Sequence, residues 1–583
     1  MPFSQRLLRR LPFSESTTPL QALTYLLGIS LFSISFLVFL NSSVSFVITD
    51  LIGIKHGVGD IVGTLGFVDE VVALVACPIW GLVSDRSGVR AVAVTGYAVI
   101  GLALFLFVQA RNVYPQLLLA RTFFAVGATA AATMVTAILP SLTDETGAAE
   151  STRKPSSPSG RPSVALSVDS EATITPECFQ HEASYSPQLG GEPATGSGNT
   201  GKPSALAGYV GLFTGCGALV ALGLFLPLPA RFSTIEGLTQ ADAVKYSFYV
   251  VGLISFLVAI FVFFGLRGLR GEEGKGWRAL LGLRGSTPEG AGSEAPLAPR
   301  NKVLPYWHLL KDSITLGFTD SEIALGYLGG FVARASTVAI SLFLPLFVNA
   351  FFIRNGFCQG SPNDPSPELK KECRQAYVLA SILTGVAQVF GLVCAPLFGY
   401  LSSRTGRVNW PIVVSTVFGI AGYLAFPQLS SPEYKDVEGR GGSPVVFFLA
   451  ALIGISQIGA IVCSLGSLGR GVLKVDIVNV LTTLDGDQET LIETADGENE
   501  TAPLLENPAD LPEDTVSRVR LKGSVAGVYS WCGGAAILLL TKLGGYLFDS
   551  WSLGAPFYLM AIFNGLLLLA SIGIDIGRAA KRR

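Results

Sequence analysis

Apolar and polar positions alternate along the chain in long blocks. Apolar blocks of roughly 20 residues, enough to span the ~30 Å hydrocarbon core of a bilayer, are separated by polar stretches. Each block is predicted to be a helix, because backbone groups in lipid must be hydrogen-bonded and the alternating segments of about ten residues typical of membrane barrels are not seen. The predicted spans are 22–49, 61–83, 91–110, 117–140, 206–228, 246–266, 321–350, 376–401, 410–428, 444–468, 523–548 and 554–576.

These twelve spans predict an all-α integral membrane protein embedded in a lipid bilayer. Only 14% of the 583 residues are charged, against about 25% in typical soluble proteins. The net charge of -2 does not indicate a nucleic-acid partner. The chain has only three histidines and eight scattered cysteines, so few residues could act as metal ligands. We therefore expect no metal, no cofactor and no nucleic acid.

Basic residues set the expected orientation. Lys and Arg are enriched in the loops that face the cytosol when the N-terminus is cytosolic. Arg6, Arg9 and Arg10 precede the first span, and a basic run at 578–583 follows the last. Both termini are therefore predicted to be cytosolic, which requires an even number of spans.

The polar stretches divide the chain into segments. Residues 141–205 are rich in Ser, Pro, Gly and Thr and are predicted to be disordered, whereas residues 470–522 form an acidic loop. A stretch at Val303–Leu310 is expected to lie on the membrane surface. The predicted organisation is an N-terminus 1–21, a first half 22–266, a central loop 267–320, a second half 321–576 and a tail 577–583.

Two loops carry a similar pattern at the same place in each half. One follows the second span and the other follows the eighth. Ser403 stands in the second loop where Asp85 stands in the first, and the recurrence indicates a duplicated six-helix unit. The pattern residues are Gly81, Asp85, Arg86, Gly88 and Arg90 in the first loop, and Gly399, Arg404, Gly406 and Arg407 in the second.

The first pattern, G-x-x-x-D-R-x-G-x-R, resembles the best-known motif of the major facilitator superfamily, and the degenerate second copy is also typical of that family. The resemblance implies two pseudo-symmetric six-helix halves that rock about a cavity at the membrane midplane. It implies a cytosolic latch that stabilises the outward-facing state, whereas an orienting, solvated loop is the alternative. Because Ser403 is uncharged, the resemblance does not extend a charge-dependent role to the second half.

Ionisable residues inside the spans are the main candidates for function, because charges in lipid are costly. Asp69 and Glu70 are adjacent on a helix, so their side chains point about 100° apart and cannot share one partner. Either carboxylate could exchange protons, bind a cationic substrate or form a structural ion pair. Arg334 could bind an anionic group or neutralise one of these carboxylates. Arg121 resembles the arginine of the superfamily's motif in span 4, which implies a role in proton transfer.

Neutral polar residues in the spans form a second group of candidates. Asn41, Gln388 and Gln457 could donate or accept hydrogen bonds in the cavity, with contact between helices as the alternative. Lys542 is expected to lie near a membrane edge and extend its ammonium group toward water.

Two local sequence features bear on the membrane in which the protein resides and on a possible disulfide bond. Glu500, Leu504 and Leu505 fit an acidic dileucine sorting signal, which sorting adaptors would bind. Together with the Ser/Pro-rich loop, the layout is similar to fungal vacuolar-type members of the superfamily. This favours the vacuolar membrane, with the plasma membrane as the alternative. Cys358 and Cys373 lie in one loop on the non-cytosolic side, where a disulfide could form.

These observations predict a secondary active transporter of a small organic solute that works by alternating access and is coupled to protons. We expect a monomer. The alternative is a sensor or scaffold that keeps the fold without transporting. A membrane enzyme is disfavoured, because the sequence shows neither a nucleophile–base pattern nor a metal-ligand pattern.

Overall fold

The structure is a computed structural model. It describes nearly all of the predicted spans, whereas most of the Ser/Pro-rich loop and of the acidic loop lie outside the described residues. The described residues are 11–54, 58–144, 201–233, 238–270, 272, 275–276, 306–355, 374–404, 409–435, 441–473, 475–477, 515–517 and 521–580.

Within these residues, twelve helices are long and apolar enough to cross a membrane. Each overlaps one predicted span, so the prediction of twelve transmembrane helices is confirmed. The helices are α1 Pro19–Ile52, α2 Val58–Ser87, α3 Val89–Phe107, α4 Val113–Thr143, α5 Lys202–Phe225, α6 Gln240–Gly265, α7 Ser321–Arg354, α8 Arg374–Arg404, α9 Trp410–Gln428, α10 Val445–Val472, α11 Lys522–Ser550 and α12 Ala555–Ala580.

Several helices begin where the sequence supplies a capping side chain. The hydroxyl of Thr18 accepts from the backbone N–H of Gln21, whose side chain accepts from the N–H of Thr18, so α1 starts with a capping box. Asp320 accepts from the N–H groups of Glu322 and Ile323 at 2.8 and 3.3 Å and caps α7. These local bonds satisfy N–H groups that have no partner within the helix.

Four helices extend beyond their predicted ends into the long loops. The fourth continues to Thr143 and the fifth starts at Lys202, so both ends of the stretch 141–205 are helical. Leu142 lies in the extension of α4 and Ser204 in that of α5, and both are buried in the fold, which explains why these helices continue. In the same way, α10 reaches Val472 and α11 starts at Lys522.

In the described part of the chain, four further elements lie outside the twelve helices: two helices and two strands. A short helix, Leu228–Phe232, precedes α6. A linker helix, Tyr306–Thr319, overlaps the predicted surface stretch Val303–Leu310, and the hydroxyl of Tyr327 in α7 donates to its Ser313 carbonyl at 3.0 Å. The acidic loop contributes two short antiparallel strands, β1 Val475–Ile477 and β2 Thr515–Ser517, which the all-helical prediction did not include.

The helix packing recurs between two sets of six helices. In the first set, α3 packs on α4 and α6, α1 on α5, and α2 on α4. The equivalent contacts in the second set join α9 to α10 and α12, α7 to α11, and α8 to α10. Between the sets, α2 packs on α11 and α5 packs on α8, which are again equivalent pairs. The fold is therefore two pseudo-symmetric halves, α1–α6 and α7–α12.

Candidate functional site

A buried ion pair joins α2 and α4 inside the first half. Nε of Arg121 donates to both carboxylate oxygens of Asp69, at 2.9 and 2.8 Å. Nη2 of Arg121 contacts Asp69 and also donates to the side-chain oxygen of Asn41 on α1. The Arg121 side chain is only 3% exposed and that of Asp69 14%. The structure thus brings three of the predicted site residues together, which we call the intramembrane cluster (Asn41, Asp69 and Arg121).

The intramembrane cluster is not fully satisfied. Nη1 of Arg121 is buried and has no hydrogen-bond partner among the described residues. Asn41 itself is exposed, although it lies in a membrane helix. Asp69 precedes Asp85 at the end of α2 by about 24 Å of helix rise. The cluster therefore lies deep within the span and has an exposed side.

Glu70 and Arg334 belong to different halves and are not paired with each other. Glu70 on α2 and Arg334 on α7 are close enough for their charges to interact, and the charges of Asp69 and Arg121 also act on Glu70. Neither Glu70 nor Arg334 forms an ion pair or hydrogen bond within the described part of the chain. The aliphatic part of Arg334 packs on Gly533 of α11, where a Cβ would lie 2.7 Å from its Cγ.

The remaining polar candidates do not join this group. Gln457 is buried and its Nε2 donates to the Thr337 hydroxyl at 3.0 Å, so it links α10 to α7. Gln388 is exposed on α8. The Lys542 ammonium group lies 4.2 Å from the centre of the Phe67 ring, which connects α11 to α2. Gln457 therefore forms a hydrogen bond between two helices, which is the alternative to a role in the cavity.

At the other end of α2, Asp85 caps the first turn of α11. Its carboxylate accepts from the N–H groups of Gly523 and Ser524 at 2.8 and 2.7 Å, and from the Ser524 hydroxyl. Asp85 is buried, and free N–H groups at a helix start favour a negative charge. An acidic side chain of the first half thus holds the N-terminus of a helix of the second half.

Gly81 permits this contact by bringing the two helices close together. A Cβ on Gly81 would lie 2.5 Å from the carbonyl oxygen of Gly523 and 3.0 Å from the Cα of Gly527. Both are backbone atoms and cannot move aside as a flexible side chain can. Gly81 and Asp85 of the predicted motif therefore act at one place, the α2–α11 junction (Gly81, Asp85, Gly523, Ser524 and Gly527).

A second acidic residue extends this junction. Glu272, just after α6, accepts from the N–H of Val89 at 2.7 Å and pairs with Lys522 of α11 at 2.6 Å. The Lys522 ammonium group is fully buried and also donates to the Ser141 hydroxyl at the end of α4, at 2.6 Å. Gly88 precedes Val89 with φ +94°, and a Cβ there would lie 2.5 Å from Glu272. Sequence reasoning missed both Glu272 and Lys522.

The other basic motif residues have separate roles. The backbone carbonyl of Arg86 accepts from the N–H of Gly276 at 3.0 Å, which fixes the segment after α6 against the motif loop. The Arg90 guanidinium lies 4.5 Å from the centre of the Phe263 ring on α6. The motif therefore binds the end of α6 as well as α11.

The second copy of the motif lies at the equivalent α5–α8 contact. A Cβ on Gly399 would lie 2.6 Å from the Cα of Gly208, so this close approach is preserved. A Cβ on Gly201, just before α5, would lie 2.5 Å from the backbone carbonyl oxygen of Ser403 and 3.3 Å from its Cβ, so the ends of α5 and α8 also approach closely. Arg404 turns back over the Tyr400 ring at 5.0 Å, and Gly406 and Arg407 lie outside the described residues.

Arg470 of α10 supplies the polar contact between the halves at this second place. It pairs with Glu322 of α7 at 2.9 Å and donates to the Ser204 hydroxyl of α5. Glu322 also binds Arg578 of α12 at 2.6 Å. We call this set the α5–α8 junction (Ser204, Gly208, Glu322, Gly399 and Arg470). Neither Glu322 nor Arg470 was predicted from the sequence.

Other predicted features are not part of these sites. The sorting-signal residues Glu500, Leu504 and Leu505, and the cysteines Cys358 and Cys373, lie outside the described residues. Among the residues that are described, no three His, Cys, Asp or Glu side chains are placed to hold a metal ion. A groove of about 560 Å³ between α3 and α4 includes Gln109, Arg111 and Gln116 but none of the charged residues above.

Comparison with solved structures shows which fold this is. The chain resembles the major facilitator superfamily proton:xylose symporter XylE bound to 6-bromo-6-deoxy-D-glucose, with a TM-score of 0.50, 11% identity and coverage of 94% of each chain. Residues 31–150 match the family model of the Major Facilitator Superfamily. The chain has the fold of the major facilitator superfamily.

A second solved structure gives a similar result. A bacterial homologue of the iron transporter ferroportin, solved in its outward-facing state, matches with a TM-score of 0.51 and 15% identity, over 96% of this chain and 99% of that one. No curated protein sequence matches the chain. The family match includes the motif from Gly81 to Arg90, the intramembrane cluster and Glu70. For the second half, the likeness to these structures is one of fold alone.

Proposed function

We propose that this protein is a proton-coupled secondary transporter of a small organic solute that works by alternating access. The observation that carries the proposal is the buried ion pair between Asp69 and Arg121. Charged groups in membrane helices are costly and are retained where they serve transport. The superfamily fold supports secondary transport, and the intramembrane cluster supports coupling to protons.

The contacts between the halves support one step of the transport cycle. Asp85 binds the start of α11, Lys522 binds Glu272, and Arg470 binds Ser204, all at helix ends that the basic residues assign to the cytosol. In this proposal the cytosolic side is closed and the intramembrane cluster is reached from the opposite side. Opening toward the cytosol then requires both junctions to separate.

Protonation of Asp69 is the proposed coupling step. A proton on Asp69 would remove the charge that holds Arg121 through two donated hydrogen bonds. Arg121 would then lose its compensating charge and turn toward the exposed side of the cluster, where Asn41 lies. We assign the proton to Asp69 because its protonation would release Arg121, and we keep Glu70, which has no hydrogen bond to an arginine, for the solute.

Proton movement in reconstituted vesicles tests this assignment. Vesicles that contain the full chain and a pH-sensitive dye receive an external mixture of amino acids, organic acids and sugars. We expect a change of internal pH with the wild type and none with Asp69→Asn, whereas Glu70→Gln should reduce solute affinity and keep coupling. An unchanged proton signal in Asp69→Asn would contradict the proposal.

We further propose that the protein is a monomer in the vacuolar membrane, with both termini in the cytosol and a disulfide between Cys358 and Cys373. Glu500, Leu504 and Leu505 would direct it there through sorting adaptors. Imaging of a tagged chain tests the location. Leu504→Ala with Leu505→Ala should move the protein to the plasma membrane, and an unchanged vacuolar signal would rule out this sorting signal.

A further inference from the structure

We infer that the groove between α3 and α4 binds a phospholipid, with its phosphate on the guanidinium of Arg111 and the first part of one acyl chain against Leu106, Leu119 and Phe123. This site is separate from the intramembrane cluster. Its occupant does not depend on which solute the protein carries.

The groove lies at the end of the bundle opposite the two junctions. There α3 ends at Phe107 and α4 begins at Val113, whereas the other end of α4 contacts Lys522 through the Ser141 hydroxyl. The volume of about 560 Å³ falls within the range of about 300–1,000 Å³ that is usual for small-molecule sites. The groove is therefore large enough for the headgroup region and part of one chain of a lipid in this leaflet.

The lining of the groove changes from polar to apolar with depth. Gln109, Arg111 and Gln116 lie in or beside the loop that joins α3 to α4, at the surface of the bilayer. Leu119 and Phe123 follow on α4, and Phe123 lies about 10 Å of helix rise beyond Gln116. A phospholipid has the same order, with a charged phosphate at the surface and hydrocarbon below it.

Two alanines form the floor of the groove. Ala110 and Ala120 are buried, whereas Leu106 of α3 and Leu119 of α4 are 46% and 62% exposed on either side. Small side chains between large apolar ones leave a channel that a hydrocarbon chain can fill. Within a bilayer, the gain from filling it comes from close packing, because the surrounding lipid is already apolar.

Hydrogen bonds hold the polar rim of the groove in place. Nε2 of Gln109 donates to the hydroxyl of Tyr249 on α6 at 2.7 Å. The backbone N–H of Arg111 donates to Oε1 of Gln116 at 2.8 Å, and the N–H of Gln116 donates to Oδ1 of Asn112 at 3.2 Å. The guanidinium of Arg111 has no hydrogen bond or ion pair within the described part of the chain. The loop is thus fixed while this guanidinium remains available to a ligand.

The charge of Arg111 selects a phosphate. No acidic residue lines the groove. Of the other charged residues nearby, Arg121 of α4 is paired with Asp69, and Asp242 and Lys245 of α6 pair with each other at 3.6 Å. One positive charge therefore remains uncompensated at the surface, and a guanidinium binds phosphate oxygens through two parallel hydrogen bonds. A sterol or a diacylglycerol has no charged group to place there.

Native mass spectrometry of the purified full chain in detergent tests the inference. Dioleoyl phosphatidylglycerol is titrated into the delipidated protein, and the apparent affinity of the first bound lipid is measured. Dioleoylglycerol has the same chains without the phosphate and is the matched ligand. We expect dioleoylglycerol to bind ~10-fold more weakly or worse.

Variants assign each part of the lipid to the groove. Arg111→Gln should weaken binding of phosphatidylglycerol ~10-fold and leave binding of dioleoylglycerol unchanged, because only the phosphate contact is lost. Ala110→Leu fills the floor and should weaken binding of both lipids. Arg354→Gln, a change of an exposed arginine at the same end of the bundle on α7, is the control and should leave both affinities unchanged. Thermal unfolding of the lipid-free variants checks that each one folds.

Photo-crosslinking locates the bound lipid. Phosphatidylglycerol with a diazirine near the start of one acyl chain is irradiated with the protein, and the labelled peptides are identified by mass spectrometry. We expect labelling at Leu106 and at 119–123, and we expect unlabelled phosphatidylglycerol to remove it. This readout does not require any variant to fold.

Four results would overturn the inference. Dioleoylglycerol could bind as tightly as phosphatidylglycerol, or Arg111→Gln could bind phosphatidylglycerol like the wild type. The labels could fall outside α3 and α4. Finally, cholesterol could displace the labelled lipid as readily as phosphatidylglycerol does, which would assign the groove to a sterol instead.

Discussion

The two junctions between the halves are equivalent in position but differ in chemistry. Both place a glycine of one helix against the backbone of its partner, Gly81 on Gly523 and Gly399 on Gly208. At the α2–α11 junction, Asp85 then binds two backbone N–H groups directly. At the α5–α8 junction, Ser403 replaces this acid and Arg470 reaches across from α10. The duplication has therefore kept the close helix approach and replaced the charged contact.

Lys522 should show the largest difference between the junctions. Lys522→Ala removes a fully buried ammonium group and leaves Glu272 only the longer ion pair with Lys275 at 3.4 Å, and we expect a loss of about 3 kcal/mol in the free energy of unfolding in detergent. Arg470→Ala should cost only about 1 kcal/mol, because Glu322 keeps Arg578. The double variant Lys522→Ala, Glu272→Ala should recover part of the loss. Equal losses at Lys522 and Arg470 would contradict the comparison.

Asp85 tests whether the acid itself matters. Asp85→Asn keeps the shape but replaces one acceptor oxygen with an N–H₂ group that faces backbone donors, so we expect a loss of about 2 kcal/mol in thermal unfolding. Ser403→Ala, the equivalent change in the second half, should stay within about 0.5 kcal/mol. A large effect of Ser403→Ala would show that the two junctions are more alike than their contacts indicate.

The glycines should behave alike at both places. Gly81→Ala and Gly399→Ala each push a methyl group into backbone atoms, and we expect both to reduce stability by about 1.5 kcal/mol. Gly66→Ala and Gly385→Ala are matched controls on the same two helices, where a Cβ meets nothing within 4 Å. If the controls lose as much stability as Gly81→Ala and Gly399→Ala, close helix approach is not the reason for the glycines.

Lys542 tests the same helix pair away from the junction. Its ammonium group lies over the Phe67 ring, a contact worth about 0.5 kcal/mol at an exposed site. Lys542→Ala should therefore lower stability far less than Lys522→Ala on the same helix. A loss comparable to that of Lys522→Ala would mean that the two helices are held along their whole length.

The sequence predicts the features that depend on local pattern. The twelve helices follow from the length of the apolar blocks, and the motif with Gly81 and Asp85 follows from its recurrence in the second half and its resemblance to the motif of the superfamily. Asp69 and Arg121 were identified as separate candidates, but their pairing was only one of several alternatives. Which face a helix turns to its neighbour depends on packing across the whole bundle, and the spacing within one span does not determine it.

The contacts that sequence reasoning missed join residues far apart in the chain. Glu272 lies just after the first half and Lys522 at the start of α11 in the second, and both lie beside long loops, where a charged residue usually faces solvent. Arg470 and Ser204 are likewise far apart, separated by 266 positions in the chain. These contacts form because the ends of α4 and α11, and those of α5 and α10, meet in the folded bundle. The pattern of residues in a single sequence does not show which helix ends meet.

The most direct test of the account is solute accumulation by the purified chain in vesicles under an imposed pH gradient. Internal metabolites are measured by mass spectrometry after incubation with a defined mixture. The account predicts that at least one solute accumulates above its external concentration, that this requires the gradient, and that Asp69→Asn abolishes it. If no solute enters under any gradient, the protein does not transport these solutes and the alternative of a non-transporting sensor would replace the proposed function.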